Sequence, residues 1–299
     1  QKPRASASAP PPAPPTPRHP SDPGCVAEKG SPAEPKRVAG RPACRGAEVL
    51  EWREASGAPR YACVYNPSDL SRRGEIPLLV FFHGTGPGLD DPSSIPKLTD
   101  LRKVIDKTDL TREGRPGFIV LGIQGRALQG SPLTFDTAYA HPENPDKVAA
   151  DHFVDVLVER GVVDKRRIYA LGMGGGGQMA ITYSMLRADR VAAFAAFAPL
   201  APPAEWSCPG PPPPGLVLYR ACDKIAACDA VEEWLLHRDG QRAETRKMRL
   251  GDGGVEEPSC TVRNKCTPKK AEANHHRWPK TREADVLAFL AGHVLAVPR

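Results

Sequence analysis

No run of about 18 apolar residues occurs in the 299-residue chain, which excludes a hydrophobic helix of bilayer length. An apolar leader core is also missing. The chain passes from Gln1 directly into QKPRASASAPPPAPP, so if the protein is exported, this is expected to be its mature form. No Cys-x2-Cys pair is present, and Cys260-x5-Cys266 followed by His275-His276 lacks zinc-ligand spacing. No metal and no cofactor are therefore expected. There is no internal repeat. Charge of one sign is not concentrated either. The net charge is +6, but Lys and Arg are scattered among Asp and Glu, which reads as a solvated surface and not as a nucleic-acid or anionic-surface patch.

Cysteine, by contrast, is plentiful and even in number. Cys25, Cys44, Cys63, Cys208, Cys222, Cys228, Cys260 and Cys266 point to disulfides formed in an oxidising compartment, hence to a secreted or periplasmic protein. The pairing is open; local bridges 222–228 and 260–266 are the simplest expectation. Proline is concentrated at the start, with eight of the first twenty residues. Residues 1–42 therefore read as a semi-rigid disordered linker, and residues 43–299 as one domain, with Cys25 and Cys44 as possible anchors between the two.

Within that domain, Glu48–Glu54 and Arg60–Tyr65 alternate as edge strands do. Pro77–Phe82, Phe118–Ile123, Ile168–Leu171, Ala193–Phe197 and Leu216–Tyr219 are short apolar runs, as strands buried on both faces require. Ala243–Leu250 is a candidate last strand. Helical periodicity covers Lys147–Arg160, Gln178–Arg187, Cys228–His237 and Thr281–Val294. The alternation predicts an α/β fold, a mostly parallel sheet of about eight strands with helices on both faces.

Three turns at strand ends carry candidate chemistry. His83-Gly84-Thr85-Gly86 follows the strand Pro77–Phe82 and offers backbone N–H groups to a developing oxyanion. Asp223 lies just past Leu216–Tyr219, where a carboxylate can orient a histidine. His275-His276 stand in an expected loop before the last helix. Between these signals lies the glycine turn Gly172-Met173-Gly174-Gly175-Gly176-Gly177, joining a strand to a helix. It satisfies G-x-G-x-x-G as well, but the next strand ends in Ala198-Pro199 with no acid for a ribose, which disfavours a dinucleotide site. The order glycine elbow, Asp, His is that of α/β-hydrolases.

On these residues the chain resembles the exported polyhydroxybutyrate depolymerase and feruloyl esterase group of α/β-hydrolases. PLLVFFHGTG resembles the group's oxyanion strand, VDKRRIYALGMGGGGQMA its elbow and HHRWP its H-x-W-P. The resemblance covers roughly residues 48–296. It implies an α/β-hydrolase fold, Asp223 as the acid, His276 as the histidine, and Gly84, Thr85 and Gly175 around the oxyanion. Gly174 stands where the group has its nucleophilic serine, and the elbow holds no Ser or Thr; Ser184 is too far along the helix to substitute. Three functions follow as expectations: an esterase scaffold with hydrolysis lost or strongly impaired, an active carboxylic-ester hydrolase using water or another nucleophile, or a binding module for polyester, glycan or cell-wall ester. A natural glycine and an introduced Ser→Gly change read alike. Phe135, Tyr139, Trp206 and Trp278 read equally as cleft-lining residues or as core and turn packing.

Overall fold

The computed structural model describes residues 16–18, 25–26, 30–86, 88–130, 132–200, 206–208, 210–241, 243–260 and 266–296; most of the expected linker, residues 1–15, 19–24 and 27–29, lies outside them. Strand β1 (Thr16–Arg18) pairs in parallel with β10 (His293–Leu295) in a two-stranded sheet. The main sheet contains β2 (Glu48–Arg53), β3 (Pro59–Tyr65), β4 (Ile76–Phe82), β5 (Ile119–Ile123), β6 (Val163–Met173), β7 (Ala193–Phe197), β8 (Gly215–Arg220) and β9 (Thr245–Leu250). Its order is β2-β3-β5-β4-β6-β7-β8-β9. Strand β3 is antiparallel to β2 and β5, and every later pairing is parallel.

The apolar runs become strands because both faces of the sheet are covered. Side chains alternate across a strand, so Leu78, Val80 and Phe82 enter one core and Leu79 and Phe81 the other. The first core is closed by α3 (Pro145–Glu159), α4 (Gly175–Leu186) and α5 (Cys228–Gly240), through Phe153, Leu157, Met179, Tyr183, Val231 and Trp234. The second is closed by the short helices α1 (Ile95–Leu98) and α2 (Leu101–Val104) and by α7 (Glu283–Leu290), with Leu101, Val286, Leu287 and Leu290.

Three helix expectations are corrected. Helix α4 begins at Gly175, inside the glycine cluster and not at Gln178. Close packing outweighs the poor helix propensity of glycine there. Helix α7 ends at Leu290, and after Gly292 the chain is extended as β10. The segment before His276, expected as a loop, contains α6 (Pro268–His275). Its start was legible: Thr267 caps it by accepting from the Lys270 N–H, and Pro268 occupies the first turn.

Four disulfides are present: Cys25–Cys208, Cys44–Cys63, Cys222–Cys266 and Cys228–Cys260. The last two replace the expected local bridges. Cys228 opens α5 and packs with Cys260 against the core that holds Val231 and Trp234, whereas Cys222 meets Cys266 just before α6. Both bridges therefore tie the loop after β8 to the chain before α6. Removing one by Cys222→Ser with Cys266→Ser is expected to cost about 3–4 kcal/mol, since the bridge closes a 44-residue separation. Urea unfolding of the double variant beside the parent checks this.

Candidate active site

The parallel strands deliver their carboxyl ends to one edge of the sheet, and the glycine elbow meets the three other candidate segments there. After β6 the chain turns sharply at Gly174, with φ 54° and ψ −126°. This conformation is costly for any residue with a side chain. Two residues to either side, Gly172 and Gly176 are glycine for a different reason, close approach. A Cβ at Gly172 would stand 2.1 Å from the Gly176 carbonyl oxygen, and one at Gly176 would stand 2.0 Å from that of His83. Only hydrogen fits at both positions, so the front of α4 lies directly on the end of β4. At Gly174 there is room: the nearest atom to an added Cβ is His275 Nε2, at 3.2 Å.

His275, not His276, is the partner of Asp223. His275 Nδ1 lies 2.9 Å from Asp223 Oδ2, and both residues are buried. This corrects the assignment from motif spacing. The reason is the register of α6. Ala271, Asn274 and His275, at i, i+3 and i+4, form its buried face, while His276 is the C-cap and turns its ring to Gly86. His276 is stacked edge-on to His275, with ring centroids 5.1 Å apart. Burial, and then the neighbouring His275, hold the His276 pKa below the usual imidazole range.

Asp223 is fixed by its own loop. Its Oδ1 accepts from the N–H groups of Ile225 and Ala226, at 2.8 and 2.9 Å, so the turn-forming and histidine-orienting readings are both met by one carboxylate. The carboxylate accepts the His275 Nδ1–H. In the neutral imidazole this leaves Nε2 as a base directed at residue 174. No hydrogen-bond partner of Nε2 occurs among the described residues. The histidine loop is held from below by Arg220, whose guanidinium donates to the carbonyls of Asn274, Gly251 and Arg277. Asn274 Nδ2 donates to the Cys222 carbonyl.

The loop after β4 forms the other wall. His83 is fully buried. Its Nδ1 donates to the Gly84 carbonyl, at 2.8 Å, and its Nε2 accepts from the Gly125 N–H, at 2.9 Å. Because a carbonyl only accepts and an amide N–H only donates, these contacts fix one neutral tautomer. Burial lowers its pKa further. The ring thus ties the loops after β4 and β5 together. Thr85 Oγ1 lies 3.0 Å from Thr134 Oγ1 and only 2.9 Å from where a Cβ on Gly175 would be. Thr85 and Gly175 therefore adjoin, and neither backbone N–H has a partner among the described residues. Thr134 carries no signal in the sequence: it reaches the site only because Arg126 and Thr134 pair across the loop, N to O at 2.7 and 2.9 Å.

That loop rests on a buried ion cluster. Asp146, fully buried at the start of α3, receives Arg60 at 2.6 Å, Arg126 at 3.1 Å and the Asp136 N–H at 2.7 Å. Burial alone would raise its pKa, but the two guanidinium groups and the amide hold it below the ordinary value. Residues 33–40 lie over this cluster: the Ala33 N–H donates to Asp136, Arg126 to the Ala33 carbonyl and Gln124 to that of Gly40. Asp146→Asn is expected to destabilise the chain by about 3 kcal/mol at neutral pH by removing the fully buried carboxylate that Arg60 and Arg126 share, leaving them only Glu54 and Asp136 as anionic partners. With a folded pKa below the unfolded one, the contribution of Asp146 is complete above the unfolded value and is lost as pH falls through the folded one. Urea unfolding at pH 7 and in acid should show the gap between parent and variant narrowing in acid.

Of the two readings open for the aromatic residues, cleft and packing, the structure shows packing. Trp278 is buried between Phe81 and Phe197 and donates to Glu283. Phe135 packs on Phe82 and His83, and Tyr139 is buried, with its hydroxyl 3.0 Å from His141. Trp206 is partly buried beside the first core. Ser184 is fully buried on α4 and donates to the Ala180 carbonyl.

No protein-family model and no curated protein match the sequence. Solved structures do match in shape. A thermostable esterase superposes with a TM-score of 0.56 at 16% identity, over 84% of this chain and 64% of the other, so the chain spans less than two thirds of that protein. The propionate-bound esterase 2 of Thermogutta terrifontis gives a TM-score of 0.56 at 15% identity, over 86% and 98% of the two chains. The same esterase phosphoramylated by tabun gives 0.54 at 18% identity, over 78% and 93%. With the eight-stranded order above, these likenesses establish an α/β-hydrolase fold.

Proposed function

We propose that the protein is an exported, esterase-type α/β-hydrolase whose nucleophile is missing, so that it binds carboxylic esters and hydrolyses them feebly or not at all. The observation that supports this reading is the space at Gly174. His275 Nε2, oriented through Nδ1 by Asp223, stands 3.2 Å from the Cβ that a residue there would carry, and the hydroxyl it would activate is absent. In this reading His275 takes the place assigned to His276, and the amides of Thr85 and Gly175, with Gly84 shaping the turn, receive the ester carbonyl oxygen. Relationship to polyester depolymerases and feruloyl esterases rests on the elbow and H-x-W-P residues. Export accords with four disulfides. The test is the Gly174→Ser variant, assayed on short aryl esters and labelled with a fluorophosphonate. A gain confined to the variant supports the reading. Equal hydrolysis by both chains would favour water activated by His275, and no activity in either would remove the esterase assignment.

A further inference from the structure

We infer that a cavity at the amino-terminal edge of the main sheet is a binding site for a small phosphomonoester bearing hydroxyl groups, the class of sugar and polyol phosphates. This site does not depend on the esterase-type reading. It lies where β6 begins and where the chain leaves α4 for β7, whereas Gly174 and Asp223 stand at the opposite, carboxyl-terminal edge. The cavity holds about 390 Å³, within the range of roughly 300–1,000 Å³ usual for small-molecule pockets. A bare ion would leave most of it empty.

Four cationic side chains line it, Lys165 and Arg166 of β6 and Arg187 and Arg190 after α4, against Asp155 and Asp189. Consecutive residues of a regular strand point to opposite faces. Lys165 and Arg166 reach one cavity because β6 is irregular here: its pairing with β4 passes from Ile76–Val163 directly to Leu78–Ile168. Asp164 holds the bulge by accepting from the Arg166 N–H at 3.0 Å and from Arg167 Nη1 at 2.6 Å. The acids of the wall are already engaged. Arg187 donates two bonds of 2.8 Å to Asp189, and Arg190 donates to Asp155 at 2.8 Å. Asp151, one turn earlier on α3, receives Arg187 at 2.6 Å and Lys147 at 2.8 Å. Five cationic side chains thus stand against three carboxylates, and the surplus falls on the bulge. Among the described residues Lys165 Nζ has no partner, and Arg166 uses only Nε, which donates to the Leu295 carbonyl at 2.9 Å. That bond fixes the guanidinium while both of its Nη groups stay available.

One planar fork and one point charge, both uncompensated, match a dianionic phosphate, whose oxygens accept in pairs from guanidinium and singly from ammonium. A monocarboxylate would neutralise only one of them. Asp155 supplies the opposite polarity. Its Oδ1 is held by Arg190, while Oδ2 has no partner among the described residues and the side chain is 53% exposed, so it can accept from a ligand hydroxyl. Val158 and Ile168 add an apolar wall for the C–H face of a sugar.

By titration calorimetry, glucose 6-phosphate should bind the unaltered chain in the low millimolar range or tighter, about tenfold or more tighter than glucose and about fivefold or more tighter than inorganic phosphate. Lys165→Glu should weaken glucose 6-phosphate about tenfold or more, and Arg166→Lys about threefold or more, because lysine keeps the charge but loses the fork. Arg246→Glu, the same charge change on the edge strand β9, should leave binding within about twofold. Lys165 and Arg246 are both exposed, and circular dichroism confirms that the variants fold. No binding at tens of millimolar, or equal affinity for glucose 6-phosphate and glucose, would overturn the inference on the unaltered chain alone. Equal affinity for inorganic phosphate would overturn it by reducing the cavity to an ion site. Undiminished binding by Lys165→Glu, or equal losses in Lys165→Glu and Arg246→Glu, would also overturn it.

Discussion

Gly174→Ser is expected to raise turnover of short aryl esters by about a thousand-fold or more. The bound is set by how a triad acts. Removing the serine alone from such a unit costs on the order of a million-fold, and what survives comes from binding and the oxyanion donors. Here the remaining parts are in place before the hydroxyl is added: Nε2 is 3.2 Å from the Cβ position, its tautomer is set by Asp223, and the Thr85 and Gly175 amides are free among the described residues. The same change should lower stability by about 1–3 kcal/mol, because serine must adopt the φ 54°, ψ −126° backbone that glycine tolerates. Activity gained at a cost in melting temperature is thus the signature. A variant of equal or higher melting temperature would contradict the strain argument.

In that serine background, the two adjacent histidines should separate by orders of magnitude. His275→Ala should remove the gained activity almost entirely, by about a thousand-fold or more, since it deletes the base and leaves the Asp223 carboxylate without its partner. His276→Ala should change kcat by less than about tenfold, because its ring lies against Gly86 and not against residue 174. Steady-state kinetics of the two variants, with circular dichroism to confirm folding, give the comparison. The opposite ranking would restore the motif-based assignment to His276.

These two histidines mark where reading the sequence stops being sufficient. H-x-W-P selects His276 by spacing along the chain, yet a helix presents side chains by angle. One residue on α6 is about 100° of rotation, and this carries His275 to the buried face with Ala271 and Asn274. The cap Thr267-Pro268 and the i, i+3, i+4 pattern were available signals. Thr134 had none, because its place depends on loop pairing with Arg126 and on the ion cluster at Asp146. The disulfides behave similarly. The number of cysteines was informative, but which ones meet depends on how the segment after β9 folds back over the loop after β8.

What the sequence alone determined was local. Apolar runs of strand length bounded by turn residues specified most of the main sheet, since burial on both faces demands continuous apolar side chains. The glycine elbow and its missing hydroxyl were equally plain, because the glycine spacing between a strand and a helix and the chemistry of residue 174 are read along one short stretch; the steric exclusion that demands Gly172 and Gly176 is a tertiary contact. Tertiary structure decided the rest: which histidine meets Asp223, which cysteines join, and which amides remain free beside the vacant Oγ position. Those outcomes depend on distances between segments separated by tens of residues, and such distances are fixed only when the sheet brings its carboxyl ends to one edge.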